Sequence, residues 1–493
     1  VHDVSQPVIT LSGTNFGPIF ASANHSTNLT ANAAAGLNAT NSSVHVVYQN
    51  AALSSALGAS EYTASACKLT TAHTEIECVA VEGVGMDLRW SVLIGGQWSE
   101  ASNDTTSYEA PSITGVDPAL HATANSTAVT ISGSSFGPSL SSNEIIATYV
   151  NLDFGGKGLA GAVYTASGCL VEHDDTTIVC SAVADGVGYG FRWNVVVGDQ
   201  RSLASNATTS YLPPSITSLG GDLLIPTDGS DTSTVTIIGT NFGPRDTSNT
   251  VVAVYQNTAH ASAYAAIEFT APSCMVTVSD VEIVCSAAAG VGTNHRWSVR
   301  VGNQSSERSN ATTSYLPPTI ESLSGNLTMS TTGMENETVT ISGANFGPVV
   351  AANAIEAVYG NAALSSVYGR GDFTAIGCAV SVAHTEIVCT TVEGIGRDHR
   401  WSVTVGDQQS LWSIDTTSYT APHIASLSGD FLVHPTIPSV HDESQPVITL
   451  IGTNFGPNFA SANFSTNRTA TAAGLNATNS SVHAVHVVYQ NAN

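Results

Sequence analysis

The chain has 493 residues, 42% of them hydrophobic and 10% charged, which is apolar material for several cores on a scale of roughly 100–200 residues per domain. Its 13 Lys+Arg against 38 Asp+Glu give a formal charge of −25, which excludes general affinity for nucleic acid or anionic membrane, since both need basic surfaces. No apolar run of about 18 residues exists to span a bilayer, and Val1-His2-Asp3-Val4 carries neither an initiator Met nor a secretory pattern, so processing or truncation is the expected origin of this start.

Along the chain the same blocks return. Asn-Phe-Gly-Pro stands at 15–18, 241–244, 345–348 and 454–457, with Ser135-Phe136-Gly137-Pro138 as a fifth copy, so the Phe-to-Phe steps are 120, 106, 104 and 109. Cysteine pairs follow with ten residues between partners: Cys67/Cys78, Cys169/Cys180, Cys274/Cys285 and Cys378/Cys389. Arg-Trp comes next, at 89–90, 192–193, 296–297 and 400–401, and each unit closes on Thr-Ser-Tyr with Pro soon after. The expected domains are 1–110, without its first strand and with a long insert at 19–47; then 111–213, 214–317 and 318–421; then 422–493, the opening part of a fifth unit of the first type with an insert at 458–488.

Within a unit the apolar period is two, which means strands. Trp297, Val299 and Val301 alternate with Arg296, Ser298 and Arg300, as half-buried antiparallel strands do. In chain order the third unit predicts strands near Ser215–Leu219, Thr234–Gly239, Val251–Gln256, Ser273–Val278, Glu282–Ser286, His295–Gly302 and Thr312–Leu316. Seven short strands in such a length predict an all-β fold of tandem β-sandwiches. Trp90, Trp193, Trp297 and Trp401 fall on the inward parity, while Trp98 and Trp412 lie outside the repeat pattern and are expected as surface contacts to a neighbouring domain or chain, with a carbohydrate platform as the alternative.

The ordered set Pro214-Ser-Ile-Thr-Ser-Leu219, Val235-Thr-Ile-Ile-Gly-Thr-Asn-Phe-Gly-Pro244, Cys274 with Glu282-Ile-Val-Cys285, Trp297-Ser-Val-Arg-Val-Gly302 and Thr313-Ser-Tyr315 resembles the IPT/TIG domain, an immunoglobulin-like fold. The likeness runs through nearly the whole chain. The paired cysteines are similar to those of the extracellular, fibrocystin-like branch of that family and not of its DNA-binding branch. The resemblance implies spacers, ligand platforms or structural modules, and a shared fold does not by itself give function.

Ten residues between two cysteines allow two short strands and a turn, so each pair is expected as one disulfide within its domain. Closing such a loop stabilises by about 3 kcal/mol, and regular pairing implies an oxidising compartment. Fifteen Asn-x-Ser/Thr sequons occur, at Asn24, Asn28, Asn38, Asn41, Asn103, Asn125, Asn206, Asn303, Asn310, Asn326, Asn336, Asn463, Asn467, Asn476 and Asn479. Asn103, Asn206 and Asn310 each stand five residues before a closing Tyr. N-glycans on these sites would supply hydration that the sparse charges do not.

Other motif matches read better as structure. Gly133-Ser-Ser135-Phe-Gly137 fits a nucleophile elbow, yet Ser135 occupies the Asn of the Asn-Phe-Gly-Pro turn and no helix follows. Gly83-Val-Gly85, Gly186-Val-Gly188, Gly290-Val-Gly292 and Gly394-Ile-Gly396 lead into strands, so they read as turn glycines and not as a phosphate loop. His73, His173 and His384 recur between the cysteines, with Ser279 in the third unit, and are expected in a solvent-facing turn. Asp174-Asp175 and Glu282 offer at most weak calcium binding, without a dense ligand loop. No catalytic, metal or cofactor-binding residue is assigned, and the only added groups expected are covalent glycans.

The link Tyr315-Leu316-Pro317-Pro318 into Ile320 leaves no flexible spacer, so successive sandwiches are expected stiffly end to end. Val1-His-Asp-Val-Ser-Gln-Pro-Val-Ile-Thr recurs as Val440-His-Asp-Glu-Ser-Gln-Pro-Val-Ile-Thr, a four-domain super-period that predicts a longer, repeating protein continuing past both ends. The expected function is an extracellular structural glycoprotein, not an enzyme, forming or lining a stiff filament at the cell surface. Its partners are its own kind and a cell-surface anchor, with no nucleic acid and no membrane insertion. The alternative is a receptor or adhesion ectodomain that binds a protein ligand.

Overall fold

The computed structural model describes residues 7–19, 44–50, 61–124, 127–139, 145–151, 163–229, 233–245, 250–257, 267–333, 337–350, 355–361, 372–429 and 448–457. Every regular element among them is a strand. The expected inserts lie outside the described residues, apart from 19 and 44–47 at the edges of the first.

The third domain shows the plan. Its seven longer strands, Ser215–Gly221, Thr234–Thr240, Val251–Gln256, Ser273–Val278, Glu282–Ser286, His295–Val301 and Thr312–Tyr315, end within two residues of the expected bounds. Three further strands, Leu224–Ile225, Phe269–Thr270 and Gln304–Ser305, are two residues long and give no readable period. One sheet runs Ser215–Gly221, Thr234–Thr240, Glu282–Ser286, Ser273–Val278. The other runs Leu224–Ile225, Thr312–Tyr315, His295–Val301, Val251–Gln256, Phe269–Thr270, with Gln304–Ser305 alongside His295–Val301. The inward residues of both sheets, among them Val235, Ile237, Ile283, Ala253, Tyr255, Trp297 and Val299, form one buried core.

At its centre Trp297 stacks on Tyr255 at 4.2 Å between ring centroids, and its Nε1 donates to Thr313 Oγ1 at 3.0 Å. A buried indole thereby keeps its hydrogen bond. Trp90, Trp193 and Trp401 stack in the same way on Tyr48, Tyr149 and Tyr359. The Tyr255 and Tyr315 hydroxyls lie 2.8 Å apart, Tyr255 accepts from Ala288 N, and Tyr315 donates to Ala288 O, so both phenols are satisfied inside the core.

In the second domain, Tyr164–His173 is one ten-residue strand that pairs first with Ile145–Val150 and then with Thr177–Ala182, joining the two sheets into a single path. The other three domains break the same stretch, at Ala64, at Ala271-Pro272 and at Ala375. The first domain has the sheets Val8–Ser12, Glu75–Val79, Ser65–Thr71 and Tyr62–Thr63, His45–Gln49, Leu88–Ile94, Gln97–Trp98. The fourth repeats the first sheet of the third but divides the second, with Thr328–Met329 paired to Ser418–Tyr419 and a separate run Phe373–Thr374, Ile355–Gly360, Arg400–Val405, Gln408–Gln409; of the fifth the antiparallel pair His423–Gly429 and Ile448–Thr453 is described.

Four disulfides join Cys67 to Cys78, Cys169 to Cys180, Cys274 to Cys285 and Cys378 to Cys389, and no free cysteine is present among the described residues. The second cysteine of each pair lies two residues after a buried isoleucine on the same strand: Ile76 and Cys78, Ile178 and Cys180, Ile283 and Cys285, Ile387 and Cys389. Period two puts both on the inward face, and Cys78, Cys180, Cys285 and Cys389 are accordingly buried members of their domain cores. Cys67, Cys274 and Cys378 are only partly buried, while Cys169 is buried with its partner. These eight residues are thus pieces of the domain cores or packed against them. Such bonds persist in an oxidising compartment.

Candidate functional site: the domain joints and the sequon loops

The motifs that recur between strands converge on the junctions between domains. After the tryptophan strands of the second, third and fourth domains a tight hairpin carries Gly198-Asp199-Gln200, Gly302-Asn303-Gln304 or Gly406-Asp407-Gln408. The glutamine Nε2 donates to the carbonyl of the closing tyrosine of the preceding domain. Gln200 reaches Tyr108 O at 2.8 Å, Gln304 reaches Tyr211 O at 2.9 Å and Gln408 reaches Tyr315 O at 2.8 Å. The hairpin glycine lies against the second glycine of the Gly-x-Gly turn before it. A Cβ on Gly302, whose φ is +54°, would stand 2.5 Å from Gly188 N, and one on Gly198 or Gly406 would stand 2.7 Å from Gly85 N or Gly292 N. Glycine is required at these hairpins by left-handed φ and by backbone contact together. Of the glycines resembling a phosphate loop, Gly85, Gly188 and Gly292 are joint glycines, whereas Gly83, Gly186, Gly290 and Gly394 lie against aromatic rings of their own domains.

The Asn-Phe-Gly-Pro turn anchors the linker. Asn241, Asn345 and Asn454 have φ of +62°, +64° and +62°, a conformation asparagine visits at low cost. Their Nδ2 atoms donate to Pro213 O, Pro317 O and Ala421 O at 3.0, 3.2 and 3.2 Å. Ser135 takes the same left-handed conformation, at φ +60°, and it lies in this turn.

A second contact corrects the expectation for the histidines. The left-handed residues of the turn between the cysteines are His73, Asp175, Asp280 and His384, so His173 and Ser279 are not their equivalents. This turn is not simply solvent-facing. Thr123 of the second domain donates to Asp280 of the third, and Thr227 Oγ1 of the third lies 3.0 Å from His384 Nδ1 of the fourth. Burial lowers the His384 pKa, with Asp228 opposing. Asp174 is held low by hydrogen bonds from Ser139, and Glu282 accepts from Thr277 Oγ1 at 2.6 Å. No cluster of three or more potential metal ligands occurs among the described residues.

Of the sequon asparagines, Asn103, Asn206, Asn303, Asn310 and Asn326 are described and all are exposed; Asn24, Asn28, Asn38, Asn41, Asn125, Asn336, Asn463, Asn467, Asn476 and Asn479 lie outside the described residues. Asn303 sits in a joint hairpin. Asn103, Asn206 and Asn310 each follow a serine, Ser102, Ser205 or Ser309, whose Oγ accepts from the tryptophan N–H at 2.9 Å. The edge loop is therefore pinned to the core strand while the asparagine faces outward. Trp98 is exposed and edge-on to His45, and Trp412 is exposed on the fourth domain's edge loop. The joints escaped sequence reasoning, although the recurring Val-Gly-Asp/Asn-Gln at 197–200, 301–304 and 405–408 was a readable signal.

The profile of the IPT/TIG domain matches residues 214–315 and 318–420. No match to a curated protein was found. Among solved structures, the full extracellular region of plexin A4 is 13% identical, with 93% of this chain and 38% of that one covered and a TM-score of 0.19. The SGBP-B protein of a Bacteroides uniformis xyloglucan utilization locus is 21% identical, with 40% and 48% covered and a TM-score of 0.16. Invasin, a bacterial integrin-binding protein, is 11% identical, with 80% and 75% covered and a TM-score of 0.18. The chain spans about half or less of the plexin and SGBP-B chains, and likenesses at these scores carry no argument about activity. The strand order, the repeated core and the profile match agree: the chain is a tandem array of immunoglobulin-like β-sandwiches in which residues 214–315 and 318–420 are IPT/TIG domains.

Proposed function

We propose that the chain is an extracellular, non-catalytic structural glycoprotein whose domains form a stiff, glycan-coated stretch of filament at the cell surface. The observation that carries this reading is the joint. The same glutamine-to-tyrosine bond and the same glycine-on-glycine contact hold three successive junctions, and a short proline-containing linker is tied down at two of them by the turn asparagine. A junction held by several fixed contacts resists bending, where a flexible linker would not. The outward-facing Asn103, Asn206 and Asn310 give a glycan position on the same loop of the first three domains, and the four disulfides suit an extracellular compartment. The four-domain super-period supports assembly with its own kind, by covalent continuation or by self-association.

Imaging of native material tests it. Filaments with an axial repeat of four domains are expected, together with a mass far above 50.6 kDa after deglycosylation and reduction in denaturant for a covalent array. A discrete, monomeric 493-residue species in the native source would overturn the filament. Peptide-N-glycosidase should convert Asn103, Asn206 and Asn310, and an unchanged mass would remove the glycan coat. The receptor-type alternative draws on one feature, the apolar edge loop of the fourth domain, where Leu411 and Ile414 stand almost fully exposed.

A further inference from the structure

The joint between the second and third domains carries a pair of residues that the joints on either side of it lack. At the tip of its hairpin stands Asn303, which opens the sequon Asn303-Gln304-Ser305. The equivalent triplets are Asp199-Gln200-Arg201 and Asp407-Gln408-Gln409, with no sequon. On the preceding domain the residue after the Gly-x-Gly turn is Tyr189, where the first and third domains have Met86 and Thr293. Sequon and aromatic ring thus coincide at one joint, and they meet across the domain boundary, with Asn303 Nδ2 lying 3.5 Å from the Tyr189 hydroxyl. Asn303 is exposed and Tyr189 is 42% exposed. The frame beneath them is fixed without either side chain. Val301 pairs with Gln304 and Arg300 with Ser305 across the hairpin, Gly302 lies against Gly188, and Gln304 holds Tyr211 O.

We propose that the N-glycan of Asn303 is a strut across this joint, its first N-acetylglucosamine lying on the ring of Tyr189. The proposal rests on the reading that the exposed sequons carry glycans. Attachment forms the bond from Asn303 Nδ2 to the sugar C1 as the C1–O bond to a lipid-pyrophosphate donor breaks and Nδ2 gives up one proton. The second Nδ2 proton still points to the Tyr189 oxygen. A sugar bonded at this atom starts within a few ångströms of the ring, and its C–H face against an exposed phenol removes apolar surface of both from water while the hydroxyls stay wet. The sugar is bonded to the third domain and the ring belongs to the second, so the contact is a link between domains that the neighbouring joints do not have. Little freedom is lost in making it, because the hairpin is already ordered. Asn206 and Asn310, on edge loops pinned to their own domains, serve the coat; Asn303 serves the joint.

Glycopeptide mapping and amide hydrogen exchange on the full chain from a glycosylating host test the proposal together. Asn303 should be occupied, and exchange at 186–190 and 301–305 should quicken about fivefold in Ser305→Ala, which removes the sequon and keeps Asn303. Tyr189→Thr, copying the third domain, should quicken it equally with the glycan still attached, whereas Tyr189→Phe keeps the ring and should retain the protection. In the Ser305→Ala background, Tyr189→Thr should add nothing further. The next joint, at 290–294 and 405–409, is the internal reference and should not change. Trimming the glycan to its first sugar should preserve the protection. An unmodified Asn303 beside occupied Asn206 and Asn310 overturns the strut and leaves the glycan coat standing; bare asparagines at all three remove both. An occupied Asn303 with unchanged exchange in Ser305→Ala overturns the strut, and loss of protection in Ser305→Ala but not in Tyr189→Thr overturns the contact with the ring.

Discussion

The second and third domains solve the same packing problem with different residues. At the start of the tryptophan strand, beside the joint glycine, the second domain places Phe191 edge-on to Tyr149, Tyr164 and Tyr211. The third places His295 edge-on to Tyr255, Phe269 and Tyr315 in the same slot. His295 is 4% exposed, and neither ring nitrogen makes a hydrogen bond of good geometry among the described residues. Burial pushes its pKa down to about 4, against partial opposition from the Val291 and Gly292 backbone. The second domain buries an imidazole elsewhere: His121, with both nitrogens unpartnered among the described residues, stands where the third has Ile225 and the fourth Met329. The fold accepts a flat ring of either polarity in the slot, provided the imidazole remains neutral.

Several measurements break or sharpen this contrast. The largest effect is expected from Phe191→Ala, which removes a buried aromatic and should cost the second domain about 3–5 kcal/mol, read by domain-resolved hydrogen exchange. Retention of full protection would show that the cage does not depend on its central ring.

Acid should separate the domains next. Because the folded pKa of His295 lies below the ordinary value near 6.5, the unfolded chain binds the extra proton. Stability from this group is full above about 6.5 and is lost as pH falls toward 4. The loss should reach about 3 kcal/mol in the third domain, and His295→Phe, copying the second domain, should abolish it. A pH response that persists in the variant would assign it to another group. Burial also lowers the His121 pKa, so His121→Ile should flatten the acid response of the second domain and leave the third unchanged.

The joint between these two domains offers a smaller and more local change. Gln304→Ala removes the bond to Tyr211 O and should cost about 1 kcal/mol, seen as faster amide exchange at the junction with both cores intact. Gly302→Ala should instead widen the junction, because its Cβ meets Gly188 N, and small-angle scattering of the whole chain should register greater flexibility. Unaltered scattering would remove the joint from the account of stiffness.

Much of this was legible in the sequence, for a local reason. Alternation is a property of residues two apart, and Cys274 and Cys285 pair across a hairpin with a sequence separation of 11, so strand positions and inward tryptophans could be read from each repeat alone. Asn103, Asn206 and Asn310 showed as a periodic position. Only the tertiary structure could decide what the intervening motifs do. Gln304 and Tyr211 are 93 residues apart, and Thr227 and His384 are 157 apart, so their meeting depends on how one sandwich sits on the next, which no period within a unit encodes. The same holds for His295, whose neutrality follows from three rings brought around it by separate strands and from the exclusion of water. Strand and pairing came from the chain's own rhythm; joint and buried charge state came from contacts between distant surfaces.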